Sequence, residues 1–215
     1  MNREVPQLVD SRSRNTFEWL SVILVAAFAI SSAVYFVYAS PYLGMDPGAI
    51  AAHSSHRVFF FVHIICGGFA MFVGPWMFWS GVRQKKLGLH RILGKVYLIS
   101  GAIGVMGGMA IAVLGVHEPK SFGISLFTLG FVWLVCGAMA YRSIRNWQIK
   151  QHKEWMIRSF ALTLTFVTCR FVGKVPLFGH LGAEAVTALI WTNWVLTLFL
   201  TEVAIQWRKT KAARL

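Results

Sequence analysis

Long apolar runs separated by short polar stretches dominate the pattern along this chain. Six such runs cover approximately residues 18–39, 58–82, 91–115, 121–144, 155–175 and 184–207. Each is close to the roughly 20 apolar residues that a helix needs to cross the hydrocarbon core of a bilayer. Because backbone polar groups inside lipid must be satisfied within the segment, the runs predict α-helices.

The six runs predict an all-α integral membrane protein with six transmembrane helices. We expect the second to fifth helices to form a four-helix core, flanked by the first and the last. The corresponding domains are a tail at residues 1–17, a transmembrane domain at 18–207 and a basic tail at 208–215. The chain starts with a polar segment, and its first run is longer than a typical signal-peptide core, so we expect that run to be retained as a helix.

The composition supports a membrane protein. Hydrophobic residues make up 56% of the chain and charged residues 13%, against about 25% charged residues in soluble domains. A net charge of +13 would suggest nucleic acid in a soluble protein. Here the basic residues cluster between apolar runs, so we expect a lipid bilayer, and no nucleic acid, as the partner.

Lys and Arg are distributed unevenly among the loops. Several occur in both tails, after the second run and between the fourth and fifth runs, whereas the other three loops contain Arg57, Lys120 and Lys174. Cytoplasmic loops carry an excess of these residues. The alternation predicts a multi-pass membrane protein with both termini in the cytoplasm.

Glycines recur at intervals of seven residues along the second and third runs. The two series are Gly67, Gly74 and Gly81, and Gly94, Gly101, Gly108 and Gly115, and they begin four residues after His63 and His90, respectively. Residues four and seven apart lie on nearly one helix face. The series has two interpretations: close packing between helices, or room for a flat cofactor held by the histidine.

Two histidines follow basic loops in the same way. His90 lies seven residues after Arg83, and His152 lies seven residues after Arg145, which suggests a duplicated hairpin. If the third and fifth helices are neighbours, the two imidazoles face each other at one depth, as the axial ligands of a b-type haem do. Alternatively, both histidines lie at the membrane interface and bind nothing.

Arg170 is the one strong charge well inside an apolar run. It lies five helical turns after His152 and therefore on the same face. Such residues usually face the bundle interior or a wet cavity, although an arginine near a helix end can also extend to the surface. Glu184 is the expected ionic partner.

Other chemistry is disfavoured by missing motifs. The chain has no Gly-rich nucleotide loop and no HExxH or GxSxG pattern. Its cysteines, Cys66, Cys136 and Cys169, are too far apart for a CxxC pair. The sequence assigns no catalytic residue.

Three segments resemble the bacterial membrane family called domain of unknown function 2306. They are FFFVHIICGGFAMFVGP, LHRILGKVY and HKEWMIRSFAL, and the resemblance covers approximately residues 58–171. The resemblance implies a multi-helix fold in the bacterial cytoplasmic (inner) membrane and brings no activity with it.

A looser resemblance is to the four-helix core of the cytochrome b-561 type, in which histidines on successive helices pair to bind two b haems. His63, His90 and His152 match three of the four positions. The segment SFGISLF at the fourth position lacks a histidine, and His117 lies just before it. The resemblance therefore favours a haem b on the cytoplasmic side, held by His90 and His152.

These observations predict a haem b-binding electron carrier or oxidoreductase. Arg91 and Arg158 are candidate partners of the haem propionates, Gly94 provides space beside His90, and Arg170 completes the predicted cofactor-binding set. His63 would serve an outer haem or a quinone. The alternatives are a non-enzymatic accessory or assembly subunit and a small-solute transporter with Arg170 lining an anion path.

Overall fold

A computed structural model describes most of the chain after residue 55. The described residues are 30, 33, 37, 56–83, 86–115, 119–172 and 182–212. Within them, side chains are described except those of residues 79–83, 166, 167, 170–172, 211 and 212. Regular secondary structure in this part of the chain is helical, without a strand.

Five long helices follow one another in these residues. They are α1 (Arg57–Arg83), α2 (Leu87–Leu114), α3 (Lys120–Arg145), α4 (Ile149–Val172) and α5 (Ala183–Ala212). In the described part of the chain, four helices are long and apolar enough to cross a membrane: α1, α2, α3 and α5. Helix α4 begins with the polar turns IKQHKE and carries several hydroxyl side chains, which lowers its hydropathy.

The all-helical, multi-pass prediction is confirmed, but the count of six spans is not supported. The first predicted span, residues 18–39, lies outside the described residues apart from Ile30, Ala33 and Val37, which are helical. The structure therefore supports four spanning helices and a fifth helix, α4, packed among them.

Helices α1 to α4 form a ring around one core. Helix α1 packs on α2, α2 on α3, α3 on α4, and a narrow contact between α1 and α4 closes the ring. Helix α5 lies outside the ring against α3 and α4. The predicted four-helix core with a flanking helix thus appears in the described chain.

Several glycines of α1 and α2 lie where neighbouring helices pack closely. A Cβ built on Gly104 would lie 2.8 Å from the backbone nitrogen of Gly67, so the backbones of α1 and α2 are in direct contact there. A Cβ on Gly74 would lie 2.6 Å from the ring of Phe160, which bridges the narrow contact between α1 and α4. The close-packing interpretation therefore holds for these glycines, and protein atoms fill the space that a flat cofactor would need.

The turn between α3 and α4 contains an unusual backbone conformation. Gln148 N–H donates to Ser143 O at 2.9 Å and Trp147 N–H donates to Ile144 O at 3.1 Å, which is a Schellman motif. Trp147 occupies the left-handed position of this motif, with φ 60°, where glycine is usual. A residue with a Cβ pays about 1–2 kcal/mol for this conformation.

Candidate functional site

His90 and His152 are held by the same kind of hydrogen bond. Nδ1 of His90 lies 3.1 Å from Met77 O, and Nδ1 of His152 lies 2.9 Å from Ala140 O. A carbonyl oxygen only accepts, so each Nδ1 carries the hydrogen and donates it. The other ring nitrogen, Nε2, then has a lone pair, which is the tautomer and orientation found in metal-ligating imidazoles.

These two bonds, which we call the histidine anchors, repeat from one helical hairpin to the next. His90, in the first turn of α2, is bonded to a residue 13 positions earlier near the end of α1. His152, in the first turn of α4, is bonded to a residue 12 positions earlier near the end of α3. We call the end of the bundle that carries both anchors the basic end, because its two connecting turns are rich in Lys and Arg. In the sequence, Arg83 precedes His90 by the same seven residues as Arg145 precedes His152. This equal spacing corresponds to the repeated hydrogen bond between the two helices of each hairpin.

The faces that carry the two histidines meet deeper in the bundle. Tyr97 and Ser159 lie seven residues after His90 and His152, respectively, and Tyr97 Oη is 3.2 Å from Ser159 Oγ. Residues seven apart lie on nearly the same face of a helix. The histidines are therefore on the faces through which α2 and α4 approach each other, two turns closer to the basic end.

The electrostatic environment of His152 also reflects the proximity of His90. Burial lowers the pKa of the His152 imidazole below its ordinary value, and the bond to Ala140 O offsets part of this effect. A charge on His90 lowers the pKa of His152 further, as does Lys153. His152 precedes the apolar part of α4, and His90 is near enough for its charge to act on the His152 imidazole.

Both histidines are half-buried. Among the described side chains, the buried nitrogen and oxygen atoms without a hydrogen-bond partner are Ser125 Oγ and Trp194 Nε1. Neither His90 nor His152 is in that set. Gly94, one turn after His90, has open space beside it, since a Cβ there would meet only Met77 Sδ at 3.9 Å.

The centre of the bundle, below the histidines, contains a buried cluster of side chains linked by hydrogen bonds. Tyr97 is completely buried, and its hydroxyl lies 3.0 Å from Thr163 Oγ1. Trp133 Nε1 donates to the same Thr163 oxygen at 2.9 Å, and Thr163 donates to Ser159 O at 3.0 Å. We call these four residues the central network. Sequence analysis missed it, although the seven-residue spacing of Tyr97 and Ser159 from the two histidines is visible in the sequence.

His63 has an anchor of its own at the opposite end of the bundle. Its Nδ1 donates to Gly104 O at 2.8 Å, and its ring lies against Gly108, where a built Cβ would be 2.8 Å from Nδ1. The structure therefore separates His63 from His90 and His152. His117, the candidate partner of His63, lies outside the described residues.

The predicted arginines have different surroundings. Arg91 is exposed beside His90. Arg158 is paired with Glu202 of α5, with Nε 2.9 Å from Oε2, and stacks on Trp155 at 4.7 Å. Sequence analysis missed this carboxylate partner because it lies 44 residues away on another helix. The proposed contact of Arg158 with a propionate stays a prediction.

The predicted pair of Arg170 and Glu184 lies outside the described contacts. The backbone of Arg170 belongs to α4, but its side chain is not among those described. Glu184 is in the first turn of α5 and is exposed.

The two imidazoles at the basic end, His90 and His152, suit a metal whose other ligands are supplied by a cofactor. The described residues contain no group of three or more His, Cys, Asp or Glu side chains that could hold a metal ion. Two imidazoles alone are too few for a zinc site, but they are the full axial set of a porphyrin-bound iron.

Comparison with known proteins gives a family and nothing beyond it. A family model described as predicted membrane protein (DUF2306) matches residues 60–205. This match confirms the stronger of the two sequence resemblances and extends it into α5. No curated protein and no solved structure matches the chain, and the looser resemblance to the cytochrome b-561 core stays a prediction.

Proposed function

This chain belongs to that family of predicted membrane proteins, and we propose that it binds haem b at the basic end of its bundle and carries electrons. His90 and His152 would hold the haem iron. One observation carries the proposal: both imidazoles donate Nδ1–H to a carbonyl of the preceding helix, on helix faces that meet two turns deeper at Tyr97 and Ser159.

The residues at this end fit such a group. Met77 O and Ala140 O fix the ring orientation and increase the basicity of Nε2. Gly94 leaves space beside His90, whereas the central network closes the bundle below. The proposed haem would therefore be held at the basic end, where it would supply one-electron transfer at its iron.

Arginines near the site have separate roles in this proposal. Arg91 is exposed beside His90 and can pair with a propionate without breaking another contact. Arg158 would have to leave Glu202 to do so. His63, at the opposite end, would serve a separate quinone site, and Arg170 would face it from the outer part of α4.

We test the haem proposal with the full chain, purified in detergent after expression with added haem. Wild-type protein should show a Soret band, and His90→Ala and His152→Ala should each abolish or strongly shift it. His63→Ala is the matched control, because it removes the same type of anchor at the other end. Colourless wild-type protein, or equal loss in all three variants, would refute the assignment.

The proposed topology has six spans, both termini in the cytoplasm and the basic end on the cytoplasmic side of the bacterial inner membrane. It is supported by the alternation of basic loops. Single cysteines placed at Lys86 and Lys120 should be labelled from opposite sides of intact cells by an impermeant reagent. Labelling of both from one side would overturn this topology.

The second candidate function is a non-enzymatic accessory module that works through helix packing. The observation in its favour is the direct backbone contact of α1 and α2 at Gly104. In that case all three histidines are only clamps between helices, and their alanine variants lose similar thermal stability without any pigment. A transporter with Arg170 on an anion path stays a prediction.

A further inference from the structure

The turn between α3 and α4 presents a tryptophan at the surface of the protein. The Trp147 side chain is 83% exposed, and no ring contact or hydrogen bond of its indole occurs among the described residues. The backbone is in the left-handed region at this position, so Gly or Asn would hold the same turn with less strain. The strained residue thus carries an indole that adds little to the packing of the described chain.

Several cations lie near this tryptophan in the sequence, and none of them is paired with a described carboxylate. The segment 142–153 has no acidic residue. Its exposed basic residues are Arg142, Arg145, Lys150 and Lys153. The two ion pairs within the described residues involve other cations, Arg158 and Lys209, so the charge at the turn is not neutralised by described carboxylates.

The position of the turn fits a membrane surface. Helix α3 is a candidate span that ends at Arg145, and only Asn146 to Gln148 separate it from α4. Exposed Ile144 and Ile149 flank the tryptophan. A Trp among apolar and basic side chains at the end of a spanning helix suits the boundary between lipid tails and headgroups.

We propose that this turn is a binding site for the headgroups of anionic phospholipids. The cations contact lipid phosphates, and Trp147 inserts at the boundary between headgroups and tails. Anionic leaflets attract basic segments next to spanning helices, and four exposed basic residues lie within six positions of Trp147 in the sequence. The proposal does not depend on haem binding.

The test uses the full chain in nanodiscs of phosphatidylcholine, with or without phosphatidylglycerol. A lipid that binds the folded state raises its Tm, so phosphatidylglycerol should raise the Tm of the wild type by several degrees. Trp147→Gly should raise the Tm in neutral discs, because strain is removed, yet lose more than half of the rise caused by anionic lipid. Trp147→Asn should behave in the same way.

Charge variants show whether the cations at the turn carry the lipid effect. Replacing Arg142, Arg145, Lys150 and Lys153 together with Gln should remove most of the rise in Tm. Lys120→Gln, which removes an exposed cation at the opposite end of α3, should retain it. An unchanged lipid effect in the Trp147 and Gln variants would overturn the proposal, and would leave the turn as a candidate surface for a protein partner.

A free anion is distinguished from a lipid by adding inorganic phosphate to neutral discs. Phosphate alone should leave the Tm of the wild type unchanged. The same rise with phosphate as with phosphatidylglycerol would mean that the turn binds a soluble anion, and the lipid assignment would be wrong.

Discussion

The basic end of the bundle and its centre both contain polar side chains between helices, but they use them differently. In the centre, Thr163 accepts from Trp133, contacts the hydroxyl of Tyr97 and donates to a carbonyl. At the basic end, the half-buried His90 and His152 each donate one described hydrogen bond, through Nδ1.

This difference separates structural from functional polar groups in a membrane protein. A buried polar atom away from water is stable when its hydrogen-bonding capacity is satisfied. The Thr163 hydroxyl meets that condition inside the protein, so its position explains helix packing. The two imidazoles are oriented by the protein and keep a basic nitrogen available, so their arrangement suits a ligand.

The largest expected contrast comes from two glycines of one series on α2. A Cβ on Gly101 would overlap the ring of Trp133, which cannot move freely because its Nε1 is bonded to Thr163. Gly101→Ala should therefore lower the free energy of unfolding by about 1–3 kcal/mol, the usual cost of overpacking. Thermal or denaturant unfolding of the purified chain measures this.

Gly94→Ala is the matched control, seven residues closer to the basic end. Its Cβ would meet Met77 Sδ at an ordinary 3.9 Å, so stability should stay the same or rise by up to about 1 kcal/mol, since Ala favours a helix. Equal destabilisation by both substitutions would mean that the centre and the basic end are packed to the same density.

Much of the fold could be predicted from periodicity. Runs of apolar residues locate all five described helices, because lipid imposes the same length on each spanning segment. The first predicted span, residues 18–39, is the part of this prediction that the described residues do not test. The seven-residue glycine spacing also indicated a packing face, and Cβ atoms built on Gly74, Gly101 and Gly108 would overlap side chains of neighbouring helices.

Pairings between distant helices could not be predicted in the same way. Spacing shows which residues share a face of one helix, but not which helix lies opposite. Thus Glu202 as the partner of Arg158 and Trp133 as the ring against Gly101 appear only in the structure. The histidine anchors were also invisible, because their acceptors are backbone carbonyls, which every residue has.

A smaller effect should come from the central network itself. Thr163→Val preserves the shape of the side chain but removes the hydroxyl that receives the hydrogen of Trp133 Nε1. The free energy of unfolding should fall by about 1 kcal/mol, because hydrogen bonds between membrane helices contribute on this scale.

Thr128→Val is the control for this last substitution. The Thr128 hydroxyl bonds only to Ile124 O of its own helix, at 2.8 Å, so its loss should change stability by a few tenths of a kcal/mol, within the range of substitutions away from special features. Absorption spectra of the variants give a second comparison between the centre of the bundle and its basic end. If the centre is structural and the basic end holds the cofactor, Thr163→Val weakens the fold and leaves the Soret band in place, whereas His152→Ala alters the band. A Soret band lost on Thr163→Val in protein that is still folded would place the cofactor against the central network instead.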